Sequence, residues 1–151
     1  MPTPIFAVKQ NFRKHNVASR LNLYTYVLRR TVARVRSILI VDDDPAHLKI
    51  YSWVVERGGF RSVPALVQRD LLDLPQAAEF DLAILDYRLG FGLSAVDVAK
   101  RLRDLYPSTP ILVLSDLYGM PEDIAPYASG FVRKGEPQQL LDTIVSTLEA
   151  A

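Results

Sequence analysis

From Ser37 onward the chain alternates short apolar runs with longer stretches of helical spacing. The runs are Ile38–Val41, a weaker one at Arg61–Ala65, Leu82–Leu85, Ile111–Leu114 and Phe131–Val132. Between them, apolar residues recur at helical intervals over 45–58, 67–78, 94–106 and 137–149, and poorly over 120–128. Local chemistry agrees with these bounds. Asp44 can cap the first helix, with Pro45 in its first turn and Gly58-Gly59 closing it. Ser94 can cap the third segment, which Pro107 and Pro110 end, and Pro137 fits the first turn of the last. Five β–α alternations with apolar, β-branched strands predict an α/β fold with a parallel sheet covered on both faces. In such sheets the loops at the strands' carboxyl ends build the site.

That rule gathers polar residues from distant parts of the chain. Asp42, Asp43 and Asp44 follow the first run, Asp86 ends the third, Ser115 ends the fourth, and Lys134 follows the fifth. Three adjacent carboxylates repel one another by roughly 1 kcal/mol per pair in water, and by about 4 kcal/mol at a protein-like dielectric. A bound cation would offset that cost. Oxygen ligands without Cys or His favour a hard ion, and Mg²⁺ combines one or two carboxylates with waters and a phosphate oxygen. A phosphoryl site follows, in which Asp86 can act as a carboxylate nucleophile. Mg²⁺, the Lys134 ammonium and the Ser115 hydroxyl would meet the charge on the transferring group.

Taken singly, these residues have plainer roles. The aspartates fit a solvated turn or helix cap, Asp86 a strand end, Ser115 a loop start, Lys134 a surface lysine and Phe131 a core strand residue. Tyr51 and Trp53, on the first helical segment, are expected to pack.

The order VDDD, LAILDYRL, LVLSD and GFVRKGEP resembles the receiver domain of two-component response regulators, over about 115 residues of this 151-residue chain. The resemblance implies a flavodoxin-like doubly wound five-stranded parallel sheet of order 2-1-3-4-5. It implies Asp42 and Asp43 as an acidic pair for Mg²⁺, Asp86 as phosphoacceptor and metal ligand, and the backbone carbonyl of Arg88 as a further ligand. Ser115 would be the switch hydroxyl, Phe131 the switch aromatic and Lys134 the lysine that pairs with the phosphoryl group. Arg88 and Leu117 would stand where phosphoryl lifetime is tuned. The implied donor is a histidine kinase or a histidine phosphotransfer protein, and the implied location is the cytoplasm. The domain would assist its own phosphorylation and dephosphorylation, and would signal by protein contact or relay to an output protein. A second copy of the chain, forming a homodimer, is a further candidate partner.

The chain departs from the family pattern in three places. Lys134 is followed by Gly135 rather than proline, Leu89-Gly90-Phe91-Gly92 replaces the usual Met-Pro step, and Ala95 stands where glycine is expected. Only 19 positions separate Ser115 from Lys134, and Pro121 and Pro126 fall between them. A proline inside a helix costs about 3 kcal/mol, so the helix there should be short or irregular.

Composition changes this picture at one end. Residues 1–36 carry eight basic residues and no acidic one, so the overall charge of +1 divides into an arm of +8 and a domain, 37–151, of −7. Val17, Leu21, Tyr24, Val27, Leu28, Val32 and Val35 approach a helical stripe in that arm. It fits a disordered tail, a helix packed on the domain or on a second protomer, a charge-driven contact with nucleic acid or an anionic membrane, or a targeting or mis-started leader. The absence of cysteine excludes disulfides and thiolate chemistry, and no apolar run approaches 18 residues. After the last helix no output domain follows, which predicts a stand-alone regulator unless the chain is part of a longer one.

Three other functions fit parts of the pattern. One is a degenerate receiver that binds partners without a phosphoryl group. Another is a nucleic-acid module led by the basic arm. A third is a haloacid-dehalogenase-type phosphatase with Asp42 as nucleophile. The phosphatase would leave Asp86 without a role and needs a later acidic strand end, where only Glu136, Asp142 and Glu149 follow.

Overall fold

A computed structural model describes residues 34–69, 71–74, 79–90 and 92–151. All but the last three residues of the basic arm lie outside them. Residues from Val35 to Ala151 form one compact unit. Its elements run β1 (Ser37–Asp42), α1 (Pro45–Arg57), β2 (Arg61–Gln68), β3 (Leu71–Leu72), β4 (Leu82–Asp86), α2 (Ala95–Leu105), β5 (Ile111–Ser115), β6 (Gly130–Arg133) and α3 (Pro137–Ala150). The sheet order is β3-β2-β1-β4-β5-β6. Five of its strands are parallel neighbours in the 2-1-3-4-5 order, and β3 adds a two-residue antiparallel edge against Val67 and Gln68.

The sheet separates the core into two layers because alternate residues of each strand face opposite sides. Leu39, Val41, Ala83, Leu85 and Val113 face Val98, Ala99 and Leu102 of α2. Ile38, Ile40, Leu82, Ile84, Leu112 and Leu114 face Leu48 and Val55 of α1 and Leu140, Ile144 and Leu148 of α3. Each fully buried side chain of this size contributes about 1.5–3 kcal/mol relative to exposure. Register follows: Ile40 stands beside Ile84, and Ile84 beside Leu112. The ends of β1, β4 and β5 therefore lie side by side.

The helix boundaries follow their caps. Asp44 accepts from the Ala46 N–H at 2.7 Å and Pro45 opens α1. Gly59, at φ +85°, turns the chain out of α1 at little cost. Ser94 and Asp97 form a reciprocal capping box on α2. The helix expected over 67–78 is absent among the described residues. Val67 and Gln68 extend β2 instead, and the chain turns back at Arg69, with φ +41°, into β3. β-Branched Val63 pairs with Leu39 of β1 and Val67 with Leu72 of β3, and this pairing outweighs the helical spacing of the leucines.

The expectation of an irregular helix before the last strand holds. Residues 117–129 contain bends and turns but no helix. Ile124 fills the α2-side core where a helix face would pack, and is fully buried. The Arg103 guanidinium donates to the carbonyls of Tyr127, at 2.6 and 3.0 Å, and Thr109, at 2.7 Å.

Candidate functional site

Asp42, Asp86 and Ser115 close three adjacent strands, and all three are buried. Strand pairing forces this: the apolar residues before them are locked in the core, so their polar successors emerge together at one edge. Asp43 begins the loop after β1 and is half-buried. One carboxylate oxygen from each of Asp42, Asp43 and Asp86 lies within 4.8 Å of the others. The Lys134 Nζ is 3.0 Å from Asp86 Oδ1.

The electrostatics of this group are unfavourable without a cation. Burial is the main reason that the Asp42 carboxyl is pushed up to about 6, and the Asp86 charge adds to it. The Asp44 N–H, which donates to Asp42 Oδ1 at 2.9 Å, and the Lys134 and His47 charges act in the opposite direction. Asp42 Oδ2 is buried without a hydrogen-bond partner, although His47 Nδ1 approaches to 3.5 Å. An orphaned carboxylate oxygen beside two more carboxylates fits a hard divalent ion, so these residues are suited to Mg²⁺. Burial pulls the Lys134 ammonium down, but the hydrogen bond and charge of Asp86, with Asp42, outweigh it and hold its pKa above the ordinary lysine value.

The loop after β4 is arranged around the acids. Gly90 donates its N–H to Asp43 Oδ2 at 2.9 Å, and a Cβ at that position would come within 2.9 Å of the same oxygen. A side chain at this position would force the Asp43 carboxylate to shift. The Arg88 N–H is 3.3 Å from Asp86 Oδ1, and its side chain pairs with Asp116. The Ser115 Oγ accepts from the Leu117 N–H at 3.2 Å. Phe131 is half-buried on β6 and packs against the α2-side core.

Sequence reasoning missed several neighbours. His47 approaches Asp42 from the first turn of α1, and Gly90 with Asp43 and Arg88 with Asp116 are pairs that no motif announces. Tyr51 is partly buried against the α1-side core, as expected, and burial raises its hydroxyl while Lys134 and the Gly135 backbone oppose that shift. The packing expected of Trp53 is not found: it is 59% exposed, with the Arg57 guanidinium 4.8 Å above its ring. Among the described residues no helix is long and apolar enough to cross a membrane.

Comparison with known proteins agrees with this geometry. The cell cycle transcriptional regulator CtrA of Caulobacter vibrioides is 27% identical over 93 residues, which are 62% of this chain and 40% of that protein. The chain therefore spans less than half the length of this curated relative. A CheY-like response regulator receiver domain from Methanospirillum hungatei superimposes with a TM-score of 0.65 at 22% identity, covering 78% of this chain and 96% of that one. The response regulator TrrA of Thermotoga maritima, solved in complex with Mg²⁺-BeF, gives a TM-score of 0.63 at 24% identity, covering 76% of this chain and 99% of its own. The model of the response regulator receiver domain matches residues 38–145. With that match and the acidic edge of the sheet, the chain belongs to the response regulator receiver family, the phosphoacceptor modules of two-component signalling.

Proposed function

We propose that Asp86 accepts a phosphoryl group from a histidine kinase or a histidine phosphotransfer protein. The observation that carries this is the placement of its buried carboxylate between the Lys134 ammonium, at 3.0 Å, and the other two aspartates. In the transfer, an Asp86 oxygen attacks phosphorus, the P–N bond of the donor breaks, and its electron pair leaves on the imidazole. Asp42, Asp43, Asp86 and the Arg88 carbonyl would hold Mg²⁺, which when bound supplies charge neutralisation for the phosphoryl oxygens. Lys134 holds the attacking carboxylate and remains beside the product. Ser115 reaches the phosphoryl group after its hydroxyl turns away from the Leu117 N–H, and Phe131 follows as the switch aromatic.

Output then runs through protein contact or onward relay in the cytoplasm, with residues 37–151 as the receiver unit and residues 1–36 as a separate basic extension. Lys134 pairs with Asp86, which favours Asp86 over Asp42 as nucleophile. Acetyl phosphate with and without Mg²⁺, followed by intact mass, tests the assignment. Wild type should gain one phosphoryl group only with Mg²⁺, Asp86→Asn none, and Asp42→Asn far less than wild type. An adduct retained by Asp86→Asn but lost in Asp42→Asn would move the nucleophile to Asp42. No adduct in wild type would leave a binding module that works without phosphorylation.

A further inference from the structure

The two residues after Asp86 both reach across to the connection between β5 and β6. The Tyr87 hydroxyl lies 3.1 and 3.2 Å from the Asp123 carboxylate oxygens and donates to them. The Arg88 Nε lies 3.0 Å from Asp116 Oδ1. The backbone carrying that guanidinium is itself bonded to Asp86 Oδ1, at 3.3 Å. Asp116 also adjoins the Ser115 hydroxyl, at 3.5 Å. The far end of this connection is fixed by buried Ile124 and by Arg103. Its near end is held to the β4–α2 loop by Arg88 and Asp116, whose side chains are 60% and 55% exposed. An exposed pair of this kind is weak and readily exchanged.

Phosphorylated Asp86 would carry about two negative charges where its carboxylate carries one, and three acceptor oxygens, against one charge on Asp116. Guanidinium–phosphate pairing is charge-assisted and fits the planar donor fork. We propose that Arg88 exchanges Asp116 for the phosphoryl group when Asp86 is phosphorylated, and so releases the near end of the β5–β6 connection. Asp116, left unpaired beside the new negative charge, is repelled outward, and the Ser115 hydroxyl is freed from its neighbour. The Tyr87–Asp123 bond stays as the pivot. Phosphorylation is thus reported by a loop fastened at one end, in the place where a helix would otherwise pack. This rests on Asp86 being the acceptor.

The test follows the Arg88 Nε–H resonance in the full chain labelled with ¹⁵N-arginine, assigned by Arg88→Lys, with Mg²⁺ and beryllofluoride standing in for the phosphoryl group. The resonance should move on addition in wild type and stay still in Asp86→Asn. Asp116→Asn, which removes the competing carboxylate, should tighten beryllofluoride binding by roughly two- to fivefold, and Arg88→Ala should weaken it by a similar factor. A pair that only braces the loop would shift both variants in the same direction. The charge-reversed double variant, Arg88→Asp with Asp116→Arg, rebuilds the pair but should bind more weakly than wild type; binding equal to wild type would overturn the exchange. A phosphoryl adduct seen by intact mass, with the Arg88 resonance unmoved by beryllofluoride, would overturn the exchange alone. No adduct would overturn it together with the assignment of Asp86.

Discussion

The connection from β1 to β2 and the connection from β5 to β6 both join parallel neighbours or near-neighbours in one sheet, yet they are built by different means. In the first, local rules suffice: Asp44 caps, Pro45 opens, α1 buries Leu48 and Val55, and Gly58-Gly59 closes. In the second no helix forms, and distant side chains do the fastening: Ile124 in the core, Arg103 on the Tyr127 carbonyl, and Tyr87 and Arg88 on Asp123 and Asp116. The difference separates chemistry from its readout. The acid pocket needs only strand ends in register, whereas the β5–β6 surface depends on individual contacts that one substitution can remove. It also separates signs of energy, since buried carboxylates oppose folding and buried Ile124 favours it.

If the second connection is fastened by single residues, its largest anchor should be worth more than any one cap of a regular helix. Ile124→Ala should cost about 3–4 kcal/mol in urea unfolding, the range for a fully buried isoleucine whose cavity cannot collapse. Phosphorylation of the folded fraction by acetyl phosphate should persist, because Asp86 and Lys134 are held by other strands. Loss of both together would mean that the pocket and the loop are one unit.

The pocket should respond in the opposite direction. A carboxyl held at about 6 instead of its usual 3.8 costs on the order of 2–3 kcal/mol once ionised. The folded chain therefore binds this proton more tightly than the unfolded chain. Stability from this group is full below about pH 4 and is lost as pH rises toward about 6. Metal-free Asp42→Asn should be more stable than wild type at pH 7 by about that amount, with the gap closing at pH 4. Added Mg²⁺ should raise wild type and leave the variant almost unmoved. An equal response of both proteins to Mg²⁺ would remove Asp42 from the metal site.

Arg103→Lys keeps the charge but gives up the fork that reaches Tyr127 and Thr109 together, and should cost about 1–2 kcal/mol. Faster amide exchange should appear around Tyr127 and Ala128, with α1 unaffected. Exchange rising equally in α1 would show that the guanidinium supports the whole fold rather than this connection.

The same contrast explains what could be read from the chain. Ile38–Val41, Leu82–Leu85 and Ile111–Leu114 are continuous apolar runs buried on both faces, so their polar successors are legible in the sequence as one edge. Lys134 joined them because it follows the last strand. The segment after Ala65 reads as helix because Leu71 and Leu74 keep helical spacing, while the pairing that wins, Val67 with Leu72, is made across a turn at Arg69. An indole usually packs, but Trp53 falls on the exposed face of α1. Gly90 beside Asp43, and Arg88 with Asp116, lie 47 and 28 positions apart, and no spacing rule connects such pairs.

The smallest of these effects sharpens the contrast from the regular side. Ser94 caps α2 by accepting the Asp97 N–H at 3.1 Å, and Asp97 answers by accepting from the Ser94 N–H. Ser94→Ala removes the hydroxyl and should cost about 1 kcal/mol, the usual worth of an N-cap, while Ser94→Asp should restore most of it. The α2 face that packs on the sheet, Val98, Ala99 and Leu102, stays buried either way. The cap therefore adjusts a helix that tertiary packing already fixes, whereas Ile124 has no helix around it to share the load. Urea unfolding of both variants in parallel compares the two directly. A cap worth as much as Ile124 would mean that the irregular connection is stabilised by more than the side chains identified, and that its resemblance to a loosely fastened loop is wrong.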